Sequence, residues 1–236
     1  MYNRPSVGRA PVYHPPHIRR RPPGRATTTG DDSAEPPGAI TLRLGALGVD
    51  FRAEDFPTRF IDFCEANDDY EMEVNEAGEL VILPMVGFRG NRHETEIGTE
   101  LGLWRRANGG ISASQTSRFR LPTGAIRGPD AAWIPQERYD TATDEEKETV
   151  IVGAPDFVVE IRSRHDNLRP LQRKMQIWMD GCARLGWLID PRSRRVFVYR
   201  SGQPEPEILE NPETVDGEDV LPGFSFAVRQ FIFDLA

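Results

Sequence analysis

The stretch from residue 156 to residue 189 leaves the chain little freedom. Residues 156–161, DFVVEI, are β-branched and aromatic and read as a strand. Residues 185–189, LGWLI, read as another. Between them Leu168, Leu171, Met175, Trp178 and Cys182 step by three and four, which predicts an amphipathic helix. Asp166 or Asn167 stands where a cap belongs, and Pro170 is tolerated in a first helical turn. A strand, a helix with one apolar stripe and a second strand imply an α/β fold in which the stripe covers a sheet.

The flanking residues extend this pattern. A helix is expected over 51–67, with Phe56, Phe60, Phe63 and Cys64 at helical spacing. A hairpin is expected over 70–83, turning at Glu76-Ala77-Gly78. A second helix is expected over 90–108, with Ile97, Leu101 and Trp104 on one face and Gly109-Gly110 as its stop. Short strands follow at 111–114, 118–121 and 130–134, then a charged, weakly helical insert over 136–148. A strand at 196–199 returns after a turn at 190–193, and the last apolar segment is expected to pack on the body.

At 236 residues the chain can hold one domain with a sizeable core. Residues 1–38 are proline-dense and aperiodic and read as a disordered Pro/Arg-rich tail, leaving 39–236 as the domain. Removal of that tail is expected to leave thermal stability unchanged. The tail holds six Arg against three acids; the remainder carries 23 basic and 34 acidic residues, a net −11. Such a body is a poor electrostatic match for nucleic acid, which argues against a simple DNA-binding module. A nuclease is not excluded, because bound metal ions and local basic residues reverse the field at a site. No apolar run approaches the roughly 20 residues of a membrane-spanning helix, and no signal-peptide core opens the chain, so no membrane partner and a cytoplasmic location are expected. Cys64 and Cys182 lack metal-ligand spacing and read as buried free thiols.

Two carboxylates stand out. Asp130 opens the apolar run 131–134, and Glu160 sits at the end of 157–159. A charge at the end of a buried strand is costly unless paired or metal-bound. Lys174 lies at the border of the helical stripe, where its stem can cross apolar surface and bring its ammonium to the sheet edge. Each has a plain structural reading: Asp130 capping a turn after Gly128-Pro129, Glu160 paired with Arg162 on one strand face, Lys174 solvated. Together, in this order, they suit phosphodiester hydrolysis. A divalent cation held by one or two carboxylates shields the phosphate and makes hydroxide available, and an ammonium steadies developing charge. Glu94 precedes Ile97 by three residues and Leu101 by seven, so it shares their side and joins Arg162 as a candidate accessory group. His93 beside it reads as a packed or capping residue.

The order strand–Asp, strand–Glu–x–basic, then helix resembles the PD-(D/E)xK nuclease superfamily. The segments GPDAAWIP, APDFVVEIRS, LQRKMQIWMDG, ARLGWLIDP, RVFVYR and EDVLPGF resemble the Uma-two family of restriction-endonuclease-like proteins, over about residues 50–236. The resemblance implies an α/β core with a mixed central sheet flanked by helices, and a divalent metal, usually Mg²⁺, with Mn²⁺ as a substitute. It implies catalytic roles for Asp130, Glu160 and Lys174, with Asp130 and Glu160 as metal ligands and DNA as the substrate. The plain motif would put its lysine at Arg162; the family instead has one on the following helix, matched by Lys174. The family's NxE or HxxI region falls on residues 93–97, with Glu94 where it tends to have Asn or His. Its SPSD after the glutamate is replaced here by Ser163-Arg164-His165-Asp166. The competing expectation is a nuclease-like fold that no longer cuts and acts as a nucleic-acid-binding or assembly module. Paired cuts of duplex DNA need two sites, which makes a homodimer a reasonable expectation.

Overall fold

The computed structural model describes residues 35–85, 87–164 and 166–235. In chain order the first part holds β1 (Ile40–Arg43), α1 (Phe56–Glu65), β2 (Met72–Val74), β3 (Glu79–Ile82), α2 (Phe88–Asn108), β4 (Ile111–Ser114), β5 (Phe119–Arg120), β6 (Ile126–Arg127) and β7 (Ala131–Ile134). The second part holds α3 (Gln136–Thr141), α4 (Asp144–Glu148), β8 (Ile151–Val152), β9 (Phe157–Ile161), α5 (Leu168–Asp180), β10 (Leu185–Asp190), β11 (Arg195–Arg200), β12 (Glu207–Glu210), β13 (Val215–Asp216) and β14 (Ser225–Phe226). The fold is mixed α/β, as expected.

The central sheet runs β12-β11-β10-β9-β7-β4. Its β9–β10 pair is parallel and the rest are antiparallel. A parallel neighbour requires a crossover, and α5 supplies it. Strand alternation then sorts the core. Phe157, Val159 and Ile161 face Ile97 and Leu101 of α2, where Leu221, Phe224 and Ile232 of the last segment also pack. Val158 faces the other way, onto Leu171, Met175 and Trp178 of α5. A second sheet, β1-β3-β2-β6-β5-β8, holds its own core with α1.

Several expectations shift locally. The first helix starts at Phe56 rather than 51, because Pro57 favours a first-turn position. Asn167 occupies the N-cap of α5 without a side-chain bond, while Asp166 Oδ2 accepts from Ser163 N–H at 2.8 Å. Cys182 is exposed and Cys64 half-buried, not buried as expected. The reason is that α5 ends at Asp180 and Cys182 turns with φ of 78° away from the stripe. Residues 1–34 of the expected tail, and His165, lie outside the described residues. Glu35 is engaged: its carboxylate accepts from Arg127 at 2.9 and 3.0 Å.

Candidate active site

Asp130 directly precedes β7. Ala131 lies opposite Val159 on β9, so one further step of that register sets Asp130 opposite Glu160. Opposed residues of antiparallel strands project from one face, here the face covered by α5. Asp130 is locked in place: its Oδ2 accepts from Ile161 N–H at 2.6 Å, and its own N–H donates to Val159 O at 3.1 Å. Glu160 is 2 % exposed, and its Oε1 accepts from Trp178 Nε1–H at 2.8 Å. Lys174, on the same helix as Trp178, brings its ammonium within 3.1 Å of Glu160 Oε1. The sequence-predicted trio therefore does converge.

The Lys174 ammonium has three donors, and three acceptors surround it. Besides Glu160, it donates to Gly128 O at 2.8 Å and to Glu73 Oε1 at 3.4 Å. Glu73, on β2 of the second sheet, was not singled out from the sequence. It is buried, and accepts from Gly128 N–H at 2.9 Å and from Arg127 Nη1 at 3.0 Å. Arg127 in turn grips Glu76 through Nε at 3.1 Å and Nη2 at 2.7 Å. The signal for Glu73 was present: Glu71 and Glu73 alternate in a strand and share a face.

Charge distributes unevenly over this cluster. Burial raises Asp130, and the nearby Glu160 and Glu94 push it well above the usual range. Burial also raises Glu160, and the Lys174 ammonium and the Trp178 bond only partly oppose it. Glu94 is pushed up to about 7 by burial and by Glu71 and Glu160. Its Oε2 is buried without a hydrogen-bond partner among the described residues. Lys174 shows the reverse: burial would lower it, but Glu160, Glu73 and Asp130 raise it above the ordinary lysine value. It therefore stays an ammonium at neutral pH.

Among the described residues, no group of three or more His, Cys, Asp or Glu side chains is arranged to enclose a metal ion by itself. The donor set instead suits a cation that keeps several waters, as Mg²⁺ does. Two opposed carboxylates and an unpartnered Glu94 oxygen face a cleft of about 890 Å³. That cleft is also lined by Glu71, Glu73 and His93. His93 is buried, and burial with Arg89 and Arg92 pushes its pKa down. Arg162 lines the cleft too, but its guanidinium bonds to Asp190 Oδ2 at 2.9 Å and to Asp166 O at 3.1 Å. The plain reading of a Glu160–Arg162 pair is thus replaced: Glu160 has Lys174, and Arg162 has Asp190.

Among solved structures, the chain resembles one described as a "putative nuclease" from Anabaena variabilis, with TM-score 0.58 and 20% identity over 69% of this chain and 89% of that one. That level of similarity establishes a shared fold. No curated protein matches the chain. The model of the Uma2 (Uma-two) family, described as "Putative restriction endonuclease", matches residues 57–229. That span takes in Glu73, Glu94, Asp130, Glu160 and Lys174, and the chain belongs to the Uma2 family.

Proposed function

We propose that the chain is a metal-dependent endonuclease that hydrolyses phosphodiester bonds in DNA. One observation carries the reading: Asp130 and Glu160 stand opposite each other on neighbouring strands at a cleft that Glu94 also lines, with the Lys174 ammonium 3.1 Å from Glu160. The Glu160 charge raises both Asp130 and Glu94. Carboxyls crowded out of water are costly unless protonated or matched by a cation. Family membership supports the reaction class.

Asp130 and Glu160 would hold a Mg²⁺ or Mn²⁺ ion, with Glu94 beside them. Such an ion, when bound, shields the phosphate and makes hydroxide available near neutral pH. Lys174 holds its proton and so is no general base. It fixes Glu160 at 3.1 Å, and its positive charge beside the carboxylates would offset negative charge that builds on a phosphate brought to them. The backbone N–H of Ile161 keeps the Asp130 carboxylate aimed at the cleft. Exposed Arg89, Arg164 and Arg192 at the same cleft would offset the acidic body along a phosphate backbone.

The test is cleavage of supercoiled plasmid with Mg²⁺ or Mn²⁺ by the wild type, Asp130→Asn and Glu160→Gln. The wild type should cut only with the metal, and each variant should lose about 10³-fold or more, the scale of several kcal/mol of transition-state stabilisation. Equal cutting by all three proteins would sink the assignment. A wild type that binds DNA and never cuts it would favour the non-cutting binding module. A homodimer would set two such sites on one duplex.

A further inference from the structure

Two side chains at this cleft are placed as no core or ion-pair role requires. Met85 is 98 % exposed and Phe88 is 88 % exposed, the highest values among the large apolar side chains of the described residues. Both line the cleft that holds Asp130, Glu160 and Lys174. Phe88 is the first residue of α2, preceded by Gly87 in extended conformation, so a long helix fixes where its backbone stands. Apolar groups held in water beside a functional cleft mark a surface that something covers.

Charge narrows what that something is. Arg89 follows Phe88 directly, and Arg164 and Arg192 line the same cleft; all three are exposed. The first turn of α2 contains no acidic residue of its own to offset its positive dipole end. A flat apolar ring at a cleft that three exposed cations also line, together with carboxylates suited to a hydrated metal, matches a nucleotide strand. An unpaired base offers a π-face and its flanking phosphates offer the negative charge. Within an intact duplex the bases stack on one another and present no free face to Phe88.

We propose that Phe88, with Met85 lining the same cleft, is a stacking platform for an unpaired base, and that the substrate of this site is a DNA strand with unstacked nucleotides. The proposal rests on the nuclease reading above and narrows its substrate. The strand would lay one base on Phe88, set neighbouring phosphates against Arg89, Arg164 and Arg192, and bring one phosphodiester to the carboxylates.

The experiment measures binding of a labelled 20-nucleotide strand, its duplex, and the same strand with abasic positions throughout. Ca²⁺ replaces Mg²⁺ to hold back cleavage, and the full-length wild type, Phe88→Ala and Phe88→Trp are compared. The wild type should prefer the strand to the duplex. Phe88→Ala should weaken strand binding roughly 10- to 100-fold, the range for losing a base–aromatic stack, and leave duplex binding unchanged. Phe88→Trp should restore it. The abasic strand should bind the wild type and Phe88→Ala equally. Unchanged strand affinity in Phe88→Ala, or equal losses on all three ligands, overturns the proposal, as does a change confined to self-association. Plasmid cleavage by the wild type and not by Asp130→Asn, together with an unaffected Phe88→Ala, would leave the nuclease reading standing and the platform refuted. A wild type that neither binds nor cuts any of these ligands would bring down both.

Discussion

Glu73 and Glu94 line one cleft and meet opposite electrostatic fates. Burial raises both. At Glu73 the Lys174 and Arg127 cations override that and hold the carboxyl at about 2. At Glu94 the charges of Glu71 and Glu160 add to it and carry it to about 7. The consequences for stability run in opposite directions. Glu73 stabilises the fold above its ordinary value of 4.5, and that gain is lost as pH falls toward 2. Glu94 keeps its proton in the fold while an unfolded chain releases it, so stability falls as pH rises from 4.5 to about 7. Glu94→Gln removes that decline. In chelator, its melting temperature should match wild type at pH 4.5 and exceed it by about 2–4 °C at pH 7.5. That corresponds to about 1 kcal/mol once solvent screening of a partly exposed carboxyl is allowed for. Parallel melting curves across that pH range would contradict the cause given. The same residues explain what could be read from the sequence. Asp130 and Glu160 stand at the ends of apolar runs, where a charge is conspicuous, and Lys174 stands at the edge of a stripe. Glu73 reads as one outward residue of an alternating strand. Its partners lie far away in sequence: Arg127 on β6, Gly128 after it, and Lys174 on α5.

Elements with strong periodicity were legible in the same way. α5, β9 and β10 each carry enough residues for a period to emerge, and the hairpin of β2 and β3 announces its turn at Gly78. β5 falls within the strand expected at 118–121, but β6 and β8 have two residues each, too few to show any period, and so the second six-stranded sheet was invisible as a sheet. The end of α2 was legible as Gly109-Gly110, and the structure supplies the reason. Both residues have positive φ, 88° and 80°. A Cβ at Gly109 would meet nothing within 4 Å, whereas one at Gly110 would collide with the Trp133 indole and stand 2.6 Å from Ile134 O. Trp133 is fixed there, donating from Nε1 to Gly109 O at 3.1 Å and meeting Trp104 edge-on at 5.7 Å. Gly110→Ala should therefore cost about 3 kcal/mol or more, combining backbone strain with overpacking. Gly109→Ala should cost only the strain, about 1–3 kcal/mol. Chemical denaturation of the two variants tests the ranking, and equal midpoints would show that β4 and β7 yield at this corner.

Across the whole domain, the two sheets meet at the site through a chain of alternating charge. Glu35 pairs with Arg127 on β6, Arg127 with Glu73 on β2, Glu73 with Lys174 on α5, and Lys174 with Glu160 on β9. Most members are buried, so each charge depends on its neighbours for compensation. Removing an interior member such as Lys174 leaves Glu160 without a cation, with only the Trp178 bond, while Glu73 keeps Arg127. Removing Glu35, at the end, leaves Arg127 with Glu73 and the two bonds to Glu76. The loss should then be about 1–2 kcal/mol, the value of one charge-assisted bond pair, rather than the 3–5 kcal/mol of a stranded buried charge. This revises the expectation that residues 1–38 can be removed without cost. A protein lacking residues 1–38 should melt about 2–8 °C below one lacking residues 1–34, because only the longer deletion takes Glu35. Glu35→Gln in the full chain should move the midpoint in the same direction by a smaller amount, since an amide oxygen still accepts from the guanidinium. Equal melting of the two truncated proteins would mean that Arg127 is satisfied from the second sheet alone, and that the charge chain begins there.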